Sequence, residues 1–87
     1  MIVKMMIKNS LEWNNVEHNL RQKSYGLVYG KEIRKMISNI HPEISDLSRA
    51  EIEARRGNCR RADEILVKVN EHINEIEEFL LIAALIG

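Results

Sequence analysis

DLSRAEIEARRGNCRRADEILVKVNEHINEIEEFLLIAAL, residues 46–85, decides the fold class. Apolar residues recur in it every three or four positions, the spacing that lays them along one face of an α-helix. Ala62, Ile65, Leu66 and Val69 form one such stripe, and Ile73, Ile76, Leu80 and Ala83 form another. The spacing predicts a helix over 47–56, where Ser48 and Glu51 stand at capping-box separation with Asp46 as the alternative cap. Gly57 is placed to close that helix in a left-handed conformation, and Asn58 to cap the next. Two further helices are expected, over 59–70 and 71–85.

Upstream of this stretch the same periodicity continues. Ser10 is the expected cap of a first helix over 10–29, with Trp13, Val16, Leu20 and Leu27 facing inward and Gly26 lowering local helix preference. Gly30 is a natural stop. A second helix over 31–40 places Ile33, Met36, Ile37 and Ile40 on one face, and His41-Pro42 should end it, because the residue before proline is pushed out of the helical region. Residues 1–9 read as a loosely ordered N-terminal extension, with faint strand-like alternation over 2–7. The expected architecture is therefore all-α, a compact antiparallel bundle of five or six helices in one domain spanning 1–87, the five read above and room for a sixth.

Eighty-seven residues make at most one domain with a modest core. The single cysteine, Cys59, cannot form an intramolecular bridge, which suits a reducing compartment. No apolar run approaches the ~20 residues a membrane-spanning helix needs, and no secretory pattern opens the chain. A cytoplasmic protein without membrane association is expected. Net charge is zero. That zero conceals a split, because residues 1–40 hold seven Lys/Arg against three Asp/Glu, and residues 41–87 hold six against ten. Opposite poles in a neutral chain favour association with a partner over binding to a polyanion, so nucleic acid is not the expected ligand.

No catalytic pattern stands out. Carboxylates are plentiful, but none has the Glu-x-x-His spacing of a helix-borne metal site. His18, His41 and His72 lie far apart in the chain and lack companions at zinc-ligand spacing. Cys59 has no evident base and is expected as a small packing residue, and Trp13, Tyr25 and Tyr29 are expected to pack. No catalytic, cofactor-binding or metal-binding residue is assigned. What remains is surface chemistry. Arg49, Arg55, Arg56, Arg60 and Arg61 crowd the Gly57-Asn58 break, where guanidinium groups could fork onto carboxylates. Glu43, Asp46 and Glu51 form an acidic counterpart. The tail Phe79–Ile86 is apolar on all sides, which makes Phe79, Leu81, Ile82, Leu85 and Ile86 candidates for self-association.

The order of these features resembles the caspase-recruitment domain of the death-fold superfamily. The matching pieces are Leu20-Arg21 to Leu27-Val28, Ile33 to Ile40, Ala50-Glu51-Ile52, Arg61-Ala62-Asp63-Glu64-Ile65-Leu66, and Glu78-Phe79-Leu80 to Leu85. The likeness covers residues 16–85. It departs from the family in helix count, five where six are usual, and in having Glu71-His72 at the place of a customary glycine. The resemblance implies a death-fold Greek key and a non-catalytic adaptor or decoy in apoptotic or innate-immune signalling, needing no cofactor. Its partner would be another death-fold domain, or further copies of itself. On the basic side it implies Arg21, Lys23, Arg60 and Arg61, with Arg55 and Arg56 beside them. On the acidic side it implies Glu43, Asp46 and Glu51. The alternative from residues alone is a small helical oligomeric accessory or regulatory protein, joined through its apolar tail or binding nucleic acid through the arginine corner.

Overall fold

A computed structural model describes residues 7–86, and the expectations for residues 1–6 lie outside it. A 3-10 turn, Ser10–Glu12, leads into α1 (Trp13–Ser24), followed by α2 (Gly30–Ser38), α3 (His41–Arg55) and α4 (Arg60–Ile86). The class is all-helical, as the periodicity predicts, but among the described residues four α-helices form in place of five.

The difference lies mainly in α4. The expected helices over 59–70 and 71–85 are one helix of 27 residues, roughly 40 Å long. Nothing at Asn70-Glu71-His72 stops it, since the segment has neither glycine nor proline, and the Asn70 side chain is engaged elsewhere. Its Nδ2 donates to Leu66 O at 3.0 Å and to Ile7 O at 3.0 Å, while its Oδ1 accepts from Ile7 N at 2.8 Å. One uninterrupted stripe of Ala62, Val69, Ile73, Ile76, Leu80 and Ala83 is buried along the helix.

Boundaries elsewhere also move for identifiable reasons. Asn9, not Ser10, caps the first turn, its Oδ1 accepting from Glu12 N. The first helix ends at Ser24, because Tyr25 is extended and Gly26 adopts φ +84. Gly30 opens α2 and does not stop a helix. Pro42 lies in the first turn of α3, where its missing N–H would have had no intrahelical partner anyway. Consequently α3 starts six residues earlier than expected, and Ser48 sits mid-helix with its Oγ donating to Ile44 O. Gly57 behaves as its position predicts. With φ +102 it closes α3, its N–H donating to Ala54 O at 3.0 Å while that of Asn58 donates to Glu53 O at 3.2 Å, the two bonds of a Schellman ending. The first bond of α4 runs from Asp63 N to Cys59 O.

α4 is the spine, and the other elements divide its length between them. α3 turns back at Gly57 and runs antiparallel along the first half, reaching the level of His72 at Glu43. α1 and α2 form a second hairpin, in which Arg21 on α1 reaches Ser38 on α2 and Arg34 on α2 reaches Ser24 on α1. Met36 on α2 and Asn39 just after it share a cleft with His72 and Ile76. Both α1 and α2 pack on α4. The body measures 48 × 25 × 16 Å, elongated where a compact bundle was expected. Trp13, Leu20, Ile37, Ile40, Leu47, Val69, Ile73 and Ile76 form its continuous core, joined by Ile7 from the N-terminal segment.

Candidate interaction surfaces

The acidic residues expected to face a partner are mostly occupied within the chain. Glu43 faces His72 across the α3–α4 seam, its two carboxylate oxygens 2.8 and 3.0 Å from Nδ1. Glu51 reaches the N-terminal segment, accepting from Ser10 N at 2.7 Å and from Ser10 Oγ at 3.0 Å. Neither bond was legible locally, because the partners are 29 and 41 residues away. Asp46 alone of the three is exposed.

The basic residues fall into two groups. Arg55, Arg56, Arg60 and Arg61 gather at the exposed corner between α3 and α4. Arg60 lies 3.5 Å from Glu64 one turn on, and both side chains are well exposed, so water screens the pair. Arg55, Arg56 and Arg61 have no charged partner among the described residues. Arg21 and Lys23 lie on α1, where Glu17 joins Arg21 to His41 at the start of α3, roughly 20 Å along that helix from Arg55. Arg21 is paired with Glu17 at 3.2 Å and donates to Ser38 Oγ at 3.0 Å. The structure therefore does not bring Arg21 and Lys23 together with Arg60 and Arg61 on one face.

Other expected roles also change. Cys59 is exposed, not packed, its thiol 3.7 Å from Ala54 O. Trp13 is buried edge-on to His41, which pairs with Glu17. Tyr25 and Tyr29 are more than half exposed, and the guanidinium of Arg34 covers the Tyr25 ring at 4.6 Å. Among the described residues no three His, Cys, Asp or Glu side chains are grouped to hold a metal, and no helix is long and apolar enough to cross a membrane. The His72–Glu43 cleft, lined also by Met36, Asn39, Ile40, Glu75 and Ile76, is a shallow depression of about 170 Å³, below the ~300 Å³ lower bound typical of ligand pockets.

In the apolar tail the inward-facing positions are the ones the spacing predicts. Leu80 and Ala83 are 6% and 5% exposed, turned onto the core, whereas Phe79, Leu81, Ile82, Leu85 and Ile86 are 45, 47, 52, 81 and 66% exposed. At 3.6 residues per turn these five occupy about 160° of the helix, opposite the buried stripe. Together they present roughly 500 Å² of unbroken apolar surface, near the upper limit for a soluble monomer. In the α1–α2 turn, Val28 and Tyr29 are 71 and 51% exposed. Their exposure was missed because the first helix was expected to run through them, although the glycines at 26 and 30 bracket the turn and could have signalled it.

Comparison with protein-family models, with curated proteins and with solved structures finds no match for the chain.

Proposed function

We propose that the chain is a non-catalytic protein–protein interaction module, and that its working surface is the outer face of the second half of α4. One observation carries this reading: five large apolar side chains stand side by side in solvent on a helix whose opposite face is already satisfied by the core. Each would be worth about 1.5–3 kcal/mol on full burial. A continuous face of this kind is the surface from which association gains most. An exposed Cys59 with no partner thiol suits a reducing, cytoplasmic setting.

The narrower reading, a caspase-recruitment domain acting as adaptor or decoy, has one observation in its favour. Four arginines share an exposed corner, and three of them lack a charged partner among the described residues. Against it stand the unbroken α4, which leaves four α-helices among the described residues, and the internal engagement of Glu43 and Glu51.

Photocrosslinking in cells separates the two. A photoreactive residue at Phe79 or Ile82 should form adducts with protein, and these should vanish when Leu85 and Ile86 are changed to Asn. Adducts confined to probes at Arg56 or Arg61 would transfer the function to the charged corner. Absence of adducts at every position would remove the docking reading altogether.

A further inference from the structure

We infer that the tip of the α1–α2 hairpin docks on an anionic lipid surface, seating Tyr25, Val28 and Tyr29 at the headgroup level inside a collar of basic side chains. This is a second contact, different in kind from the α4 face.

The tip is short and well held. Between Ser24 and Gly30 the chain reverses with Tyr25 extended and Gly26 at φ +84. Ser24 is fully buried, its Oγ donating to Arg21 O at 2.7 Å and its carbonyl accepting from Leu27 N at 3.4 Å. Gly30 N donates to Leu27 O at 3.1 Å, and Gly30 lies so close to Ser24 O that a Cβ there would collide. Leu27 packs against the core. Tyr25, Val28 and Tyr29 are left outside, 58, 71 and 51% exposed. A turn bonded in this way presents its apolar side chains in a fixed arrangement.

Charge selects the occupant. From residue 18 to residue 40 the chain holds five Lys/Arg against one acid, Glu32. Arg21 is committed to Glu17. Lys23 in the last turn of α1 and Lys31 in the first turn of α2 are exposed, within a helical turn of the tip. Lys35 follows Lys31 one turn later on the same side of α2. An anionic leaflet attracts such a collar, each cation near the surface adding to the pull. Tyrosine rings favour the headgroup level, where the apolar body and the hydroxyl are both accommodated. A contact at the surface needs no spanning helix, so the lack of one among the described residues does not oppose it.

Other occupants fit less well. Three side chains fall well short of the roughly 800 Å² that a standard protein interface buries on each partner, whereas a bilayer needs no matching shape. A nucleic acid strand rewards stacking platforms. Yet the Arg34 guanidinium already covers one face of Tyr25 at 4.6 Å, and Val28, the most exposed of the three, has no ring to offer. The apolar face of α4 is preceded by exposed Glu71, Glu75 and Glu78, which an anionic surface repels. The hairpin tip, not α4, is therefore the lipid-facing element.

Flotation of the full chain with vesicles tests this, comparing phosphatidylcholine alone with a phosphatidylcholine–phosphatidylserine mixture. The chain should float with the mixed vesicles only, and added salt should release it. Lys23→Glu with Lys31→Glu should lower partitioning about tenfold or more, and Val28→Asp with Tyr29→Ser should also lower it, both with unchanged helicity. Leu85→Asn with Ile86→Asn should float as wild type does. In a separate measurement, the emission of Val28→Trp should shift to the blue on mixed vesicles. No flotation of the wild type, or equal flotation of the two hairpin variants, would overturn the proposal. Loss confined to the α4 variant would move the lipid contact to α4. Retention of a single-stranded oligonucleotide by a chain that ignores vesicles would replace lipid with nucleic acid. Photocrosslinks at Phe79 and Ile82 are read independently of all these outcomes, so the α4 docking surface stands or falls by its own test.

Discussion

Asn70 holds Ile7 as one β-strand holds its neighbour. Its carboxamide accepts from the Ile7 N–H at 2.8 Å and donates to the Ile7 carbonyl at 3.0 Å, 63 residues away in the chain. A side-chain amide thus substitutes for a strand partner at a site where both residues are buried, and leaving those backbone groups unpaired there would be costly. Asn70→Ala should lower stability by about 2–3 kcal/mol, read as a shift of the urea midpoint, with faster amide exchange at Ile7. Asn70→Asp should be worse, since it places a carboxylate oxygen opposite the Ile7 carbonyl. An unchanged midpoint in both variants would mean that this pairing contributes nothing to the fold.

Gly30 and Gly57 should respond to alanine for different reasons. A Cβ on Gly30 would collide with the carbonyl oxygen of Ser24, so the α1–α2 hairpin would have to open. Steric insertions of this kind cost about 1–3 kcal/mol, although alanine would otherwise favour the helix by ~1 kcal/mol. At Gly57 the space is open, and the obstacle is its φ of +102, a backbone penalty of about 1–2 kcal/mol. Asn, which tolerates left-handed geometry, should recover much of the loss at 57 and none at 30. Equal rescue by Asn at both positions, measured by thermal unfolding, would contradict the close approach at Ser24.

What the chain order reveals and what it hides divide along contact distance. Helical class, the Gly57 closure and the inward positions of Leu80 and Ala83 follow from spacing within a few residues, and the sequence expresses them directly. The unbroken run of α4 was hidden because Asn70 reads locally as a helix end, while the partner that employs it is Ile7. Glu51 was hidden in the same way. Three residues after Ser48 it reads as half of a capping box, yet it bonds Ser10. Pro42 was legible as a boundary, but not as the first turn of α3 rather than the stop of α2. The charge clusters were found correctly as composition, and only tertiary placement separated Arg21 and Lys23 from the α3–α4 corner.

The Glu51 contact makes a prediction that separates a structural acid from a docking acid. Glu51→Ala removes the acceptor of both the Ser10 N–H and its hydroxyl, and should cost about 1–2 kcal/mol. Glu51→Gln keeps a neutral acceptor and should recover part of it. Photocrosslinking from Phe79 and Ile82 should be unchanged in both, because the contact lies on the α3 side of the molecule, away from the α4 tail. Loss of adducts with stability intact would return Glu51 to an acidic docking face.

The continuity of α4 can be tested at Glu71, an exposed residue whose substitution disturbs no core packing. Were the chain broken after Asn70, residue 71 would be the first position of a new helix, where proline is favoured and costs little. Inside a continuous helix the same substitution removes the bond to the residue-67 carbonyl and drives the ring against it, a loss of about 3 kcal/mol or more. Because α3 is held to the first half of α4 and the α1–α2 hairpin to the second, a kink at 71 would also part the two halves of the core. Glu71→Pro should therefore lower both the urea midpoint and the cooperativity of unfolding followed by circular dichroism. As the positional control, Pro42→Ala should shift the midpoint by only a few tenths of a kcal/mol, since Pro42 already occupies a first turn. A Glu71→Pro variant as stable as wild type would restore two helices in place of one, and with them the five helices expected from the sequence.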